Sequence, residues 1–205
     1  MGLHKEGAQQ AKEASEISEL LGDTVEQARC LIALTRLLHS DGQLDAAEEA
    51  AFRTIDLLSG RDQQLFQVCE CHQVLGGIYH SKGKTEEGIN HFEAALEIAS
   101  PLNWHYLLFT IHHSLAMLLS DEGRFDDTHA HVEHTESHTI NDAHPLACVV
   151  ELKAWVWFKQ HRLEEAKFEA LRAIDMFKKP GATTDMECTR GILQLIDEEM
   201  GELVI

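Results

Sequence analysis

Apolar residues recur every three to four positions through almost the whole chain, and nowhere do they alternate with polar ones over the length of a strand. Helical periodicity of this kind predicts amphipathic α-helices, each turning one stripe inward. Ten segments emerge. One set covers 8–21, 44–58, 85–99, 124–138 and 162–178. The other, interleaved with it, covers 24–40, 62–81, 101–121, 144–160 and 184–200. The expected fold class is all-α.

Local chemistry marks the segment ends. Thr24 with Gln27, and Thr184 with Glu187, fit the capping box, which fills unpaired amides in a first helical turn. Ser100-Pro101 and His144-Pro145 put proline at an expected first helical position, where its missing N–H costs nothing. Gly42, Gly83 and Gly123 suit a tight turn in which a left-handed residue ends one helix before the next begins.

Those glycines open a repeated phrase. Gly42-Gln-Leu-Asp-Ala-Ala, Gly83-Lys-Thr-Glu-Glu-Gly, Gly123-Arg-Phe-Asp-Asp-Thr and His161-Arg-Leu-Glu-Glu-Ala follow one another at intervals of 41, 40 and 38 residues. A period of that size means one supersecondary unit used several times, each copy burying its apolar face on the next. Leu75-Gly76-x-x-Tyr79-x-x-x-Gly83, followed by Gly88, Phe92 and Ala95, resembles the tetratricopeptide repeat (TPR). In that family helix A carries a large, a small and an aromatic residue, and helix B a small–aromatic–small set. The other copies keep the pattern more loosely: Leu34-Thr35-Leu38 with Ala47; Leu115-Ala116-Leu119 with Thr128 and Val132; Ala154 and Trp157 with Ala166 and Ala173. Small residues let two helices approach while large ones fill the space beside them.

The long period is similar to that of kinesin light chains and cortical polarity adaptors. The stretch from Gly22 to Leu34 also resembles fungal TPR arrays that follow a NACHT- or STAND-type NTPase switch. The resemblance implies a right-handed TPR superhelix, an α-solenoid of antiparallel helices with one concave groove. The expected organisation is a single array over 1–205. It has a helix-B-like start at 8–21, repeats at 24–58, 62–99, 101–138 and 144–178, and a helix-A-like cap at 184–200. Opening on a B-type helix and closing on an A-type one suggests a piece of a longer array. Exposed terminal repeats invite end-to-end self-association into a homo-oligomer.

Charge narrows the partners. With 35 acidic and 17 basic residues the net charge is −18, which repels nucleic acid and anionic membranes. No apolar run reaches membrane-spanning length and the first residues are polar, so the expected address is cytoplasmic. Cys30, Cys69, Cys71, Cys148 and Cys188 read as small reduced residues, and Cys69-Glu-Cys71 has no second pair at zinc spacing.

Candidate chemistry is thin. His129, His131, His134 and His138 crowd one helix, and His131, His134 and His138 are the set for which a metal role can be weighed. His134-Thr-Glu-Ser-His138 departs from the zinc-protease order, and no Glu is followed three residues later by His. A solvated polar face is the preferred reading. Gly83-Lys84-Thr85 imitates the end of a P-loop, but Ile78 stands where the first glycine belongs. No nucleophile elbow appears and nothing calls for a cofactor. The expectation is a protein that is not an enzyme.

In TPR stacks one stripe of helix A faces the groove. Carried onto this chain, the stripe holds Arg29, Ile32, Arg36 and His39; Glu70, Gln73, Gly77 and His80; Thr110, His113, Met117 and Ser120; Cys148, Glu151, Trp155 and Phe158. Of these, Arg29, Arg36, His39, Gln73, His80, His113, Met117, Glu151, Trp155 and Phe158 are expected to contact a peptide or helix. Arg29 and Arg36 would meet acidic groups, Trp155 and Phe158 would anchor an apolar side chain, and Trp157 would fill the core. The carboxylate clamp of chaperone-binding TPR proteins is missing, since Ile32, Arg36, Thr110 and Ser114 hold its places. The expected function is a non-catalytic protein–protein interaction module for a protein or peptide ligand. The alternatives are a ligand-sensing arm of a larger STAND-type switch and, last, metal binding by the histidines.

Overall fold

The computed structural model describes residues 2–60, 64–139, 143–178 and 183–202. Among these it forms ten α-helices and no strand. They are α1 (Gly2–Leu21), α2 (Thr24–Ser40), α3 (Leu44–Leu58), α4 (Leu65–Ser81), α5 (Thr85–Ala99), α6 (His105–Asp121), α7 (Phe125–Ser137), α8 (Ala143–Lys159), α9 (Leu163–Met176) and α10 (Thr183–Glu202). The periodicity therefore located every helix. None of them is long and apolar enough to cross a membrane.

Several helix ends differ from expectation, each for a local reason. Asp23 rather than Thr24 caps α2: its carboxylate accepts the Glu26 amide at 3.0 Å. A carboxylate there also sits favourably at the positive end of the helix dipole. Pro101 does not open α6. It lies in the turn after α5, where Asn103 adopts a left-handed φ of 49° and α6 starts four residues later. Pro145 falls inside the first turn of α8 instead of at its first residue. The region before Thr183 lies outside the described residues, so the cap expected at Thr184 finds its helix already under way.

The hairpin turns share one device. At Gly83, with φ 69°, the amide reaches the His80 carbonyl at 2.9 Å, and the next amide, of Lys84, reaches Tyr79 at 2.9 Å. This closes the last carbonyls of α4 in a Schellman motif, which needs a left-handed residue. Gly42 and Gly123 repeat it with φ 76° and 73°. His161 does so without being glycine, at φ 57°, with its ring 2.7 Å from Glu199 of α10.

The chain divides into two compact units, Met1–Leu107 and Leu108–Ile205. In the first, Ala47 and Ala51 of α3 pack on Val74, Leu75 and Ile78 of α4, with Leu38 of α2 alongside. Gly76 is the closest approach: a methyl group there would stand 2.6 Å from the Phe92 ring of α5. Absence of a side chain is what lets α4 and α5 meet around that ring.

In the second unit, Ala116, Val132, Leu152 and Val156 join α6, α7 and α8. Ala154, Ala166, Ala170 and Ile196 join α8, α9 and α10. Ala116 and Ala154 are wholly buried at the places that correspond to Gly76. Thr54 of α3 and Thr128 and Thr135 of α7 hold other small places, with each hydroxyl donated to the carbonyl four residues back at 2.8 or 2.9 Å. The two on α7 are satisfied by their own helix and demand nothing of their neighbours, whereas the Thr54 hydroxyl also meets the Cys71 thiol of α4.

Candidate functional site

In the first unit α2 and α4, two of the helices expected to carry the stripe, lie side by side, and stripe residues join them. Arg36 donates to Glu70 at 2.9 Å, and the His39 ring meets the Ser81 hydroxyl at 2.8 Å. Gly77 makes room for His39, whose Cε1 would lie 3.3 Å from a methyl group there. Burial, and after it the charge of His80, holds the His39 imidazole below its ordinary value. Arg29 pairs with Glu26 on its own helix at 3.4 Å. Gln73 and His80 are half-buried, and Ile32 is buried outright. The basic groups expected to greet an acidic ligand are thus both engaged by glutamates of this chain.

The second unit gathers its stripe residues around a hollow. His113 and Met117 of α6, Glu151, Leu152 and Trp155 of α8, and Cys188 and Ile192 of α10 line a cavity of about 270 Å³. Four expected contact residues are brought together here. Phe158 is not among them: half-buried, it packs against the Ala154–Ile196 cluster. Ser120, at the corresponding place on α6, is buried. Trp157 is half-buried against the same cluster, with the Arg162 guanidinium 4.1 Å above its ring.

Trp155 is held from two sides. Its ring lies 5.7 Å from that of Phe158, and the Lys159 ammonium stands 5.3 Å from its centroid. Lys159 is fixed in turn by Asp121 at 3.1 Å. The indole Nε1 is buried and has no hydrogen-bond acceptor. Such a pinned aromatic face costs little ordering when a ligand covers it.

Glu151 is the charged group of the cavity. It is half-buried, and its one bond comes from the Thr189 hydroxyl of α10 at 2.9 Å. That hydroxyl also lies 2.9 Å from the Asp185 carbonyl, so its single hydrogen is contested. Burial raises the Glu151 pKa, Thr189 opposes the rise, Asp185 adds to it, and the charge of His144 opposes it last. Burial brings the His113 imidazole down to about 4, leaving it neutral at neutral pH. Burial first, and then Asp185 and Glu151, pushes the Cys148 thiol up to about 12, and Cys188 is raised for the same leading reason. Neither sulfur is a ready nucleophile.

Cys188 and Ile192 lie on α10, outside the four stripes expected from the sequence. The signal was present, since Cys188 stands 40 residues beyond Cys148, one repeat further on. A larger hollow of about 350 Å³ lies beside His129, Glu133, Glu136, Lys153 and Trp157. Lys153 and Glu136 are already paired across it at 2.9 Å.

The histidine-rich helix corrects an expectation. His131 meets the buried His112 of α6, nitrogen to nitrogen, at 2.8 Å, and His134 stacks on the same ring with centroids 4.7 Å apart. His138 stacks on it at 6.0 Å. The face is therefore packed against a neighbouring helix instead of being wholly solvated. Among the described residues no three His, Cys, Asp or Glu side chains are grouped so as to hold a metal ion.

Comparison with known proteins identifies the repeat. Residues 70–101, the α4–α5 hairpin around Gly76 and Phe92, match the tetratricopeptide repeat family. Over its length the chain is similar in fold to BtubC (BKLC) from P. vanneervenii, with a TM-score of 0.76 and 16% sequence identity. The likeness covers 97% of this chain and 84% of that one. No curated protein sequence matches it. The fold is thus that of a helical repeat protein, and TPRs generally mediate protein–protein interaction.

Proposed function

We propose that this protein is a non-catalytic interaction module whose peptide-contacting surface is the hollow between α6, α8 and α10. The observation that carries this reading is the convergence of His113, Met117, Glu151 and Trp155, from two successive inner helices, on one cavity. Apolar walls with a few polar groups are the usual make-up of a recognition pocket, and tryptophan and methionine are enriched in such cores. A partner segment entering here covers Trp155, Met117 and Ile192 and gains mainly from their desolvation. The TPR match of the preceding hairpin and the helical-repeat fold support an interaction role for the chain. Arg29 and Arg36 take a smaller part than their charge suggests, because Glu26 and Glu70 already occupy them.

Peptides selected by display on the wild-type chain supply the test. Trp155→Ala should weaken their binding at least about tenfold, as for an aromatic anchor, and Arg36→Glu should change it little. Equal affinity for wild type and Trp155→Ala, with both folded by circular dichroism, would remove the cavity from consideration.

A further inference from the structure

The α6–α8–α10 cavity joins apolar walls to one carboxylate that has no lysine or arginine partner among the described residues and feels an opposing charge only from the His144 ring. Met117, Leu152, Trp155 and Ile192 form the walls, and Glu151 sits among them. No lysine or arginine of the described residues pairs with Glu151; it has only the contested hydroxyl of Thr189. A carboxylate removed from water without a counter-charge is costly, and a cation placed beside it recovers that cost.

The other charges around the cavity favour a cation too. Asp185, on α10 beside Thr189, adds negative potential, and the His144 ring that meets it at 2.8 Å carries charge only when protonated. His113 on the facing wall is kept neutral by burial. Lys159 lies over Trp155 but is neutralised by Asp121. At longer range the net charge of −18 draws basic segments toward the protein.

We infer that this cavity receives a lysine side chain from a protein partner, its methylene stem on Met117, Trp155 and Ile192 and its ammonium on the Glu151 carboxylate. The inference rests on the groove reading proposed above and names the chemistry of its ligand. Lysine suits a site with an apolar wall and a single acceptor, because its stem is apolar and its charge is compact. Arginine pairs best through a planar fork that takes both oxygens of a carboxylate, and Glu151 Oε1 is already engaged by the Thr189 hydroxyl. A leucine would bury Glu151 further without pairing it, and an acidic side chain would be repelled by it.

The selected display peptides test this directly. Among wild-type binders, one position should be fixed as lysine. Replacing that lysine with norleucine should lower affinity about 10- to 100-fold, the range for a charge-assisted hydrogen bond. In Glu151→Gln, which keeps the shape of the side chain, the same replacement should have almost no effect. Binders fixed as arginine, as an apolar residue or as an acid, or affinities indifferent to Glu151→Gln, would overturn the lysine assignment and leave the groove reading standing. Failure to select any binder would overturn both. Thermal melts of Glu151→Gln establish that the variant is folded.

Discussion

His72 on α4 and His91 on α5 lie nitrogen to nitrogen at 3.0 Å, and one repeat later His112 and His131 form the same contact at 2.8 Å. In each pair one ring donates its Nδ1–H and the other accepts, so two doubly protonated rings cannot keep the bond. Burial leads the lowering of all four pKa values, bringing His112 to about 3, with neighbouring histidines adding to it for His72, His112 and His131. Glu48 opposes the lowering at His91, as Asp127 does at His131, where Arg124 assists it.

The sign of the pH effect follows. An unfolded imidazole titrates near 6.5, so between pH 6.5 and about 3 the unfolded chain binds more protons than the folded one. Stability is therefore full above about pH 6.5 and falls with pH. His112 alone should account for about 2 kcal/mol between pH 6.5 and 5. Urea denaturation at pH 7.5, 6 and 5 measures this. His112→Gln should flatten the slope, and an unaltered slope would count against the buried pair as its source.

Gly76 should tolerate no side chain. Gly76→Ala puts a methyl group 2.6 Å from Phe92, and overpacking of this kind typically costs about 1–3 kcal/mol. Phe92→Leu alone should also destabilise. Combined with Gly76→Ala, however, it should cost less than the two changes added together. Strict additivity in chemical melts would show that the two positions do not share the strain.

At His161 the left-handed backbone makes the opposite prediction. His161→Gly relieves the conformation but gives up the contact with Glu199, so its stability should stay within about 1 kcal/mol of wild type. His161→Ile should lose about 2 kcal/mol, since a β-branched residue resists positive φ. Thermal melts of the two variants should separate clearly.

Lys82 joins three groups: it donates to Asp45 at 2.6 Å and to Glu48, which also accepts from Tyr79 at 2.5 Å. Hydrogen bonds from Lys82, and then from Tyr79, hold the Glu48 carboxyl below its usual range. Lys82→Met should destabilise by about 1–3 kcal/mol, because Glu48 is left partly buried with one partner. Adding Glu48→Gln should restore part of the loss. Without that rescue, packing of the lysine stem would be the larger contribution.

Periodicity revealed the helices because each buries one stripe, and the turn glycines revealed the hairpins because their φ values exclude most other residues. The candidate site was half legible. His113, Met117, Glu151 and Trp155 follow from register alone. Whether Arg36 is available, or Phe158 exposed, depends on Glu70 on another helix and on the rotation of α8. No local pattern in the sequence carries that information. The His112–His131 contact was hidden for the same reason, although its 19-residue separation recurs in His72 and His91.

The two buried threonines of α7 carry a wider consequence. Thr128 and Thr135 return their hydroxyls to their own backbone, so each can be exchanged for alanine without renegotiating a bond across the interface. Neighbouring hairpins are coupled there by contour alone. The fold can then keep helical hairpins beyond the one recognised by sequence, residues 70–101, without keeping that hairpin's pattern of residues.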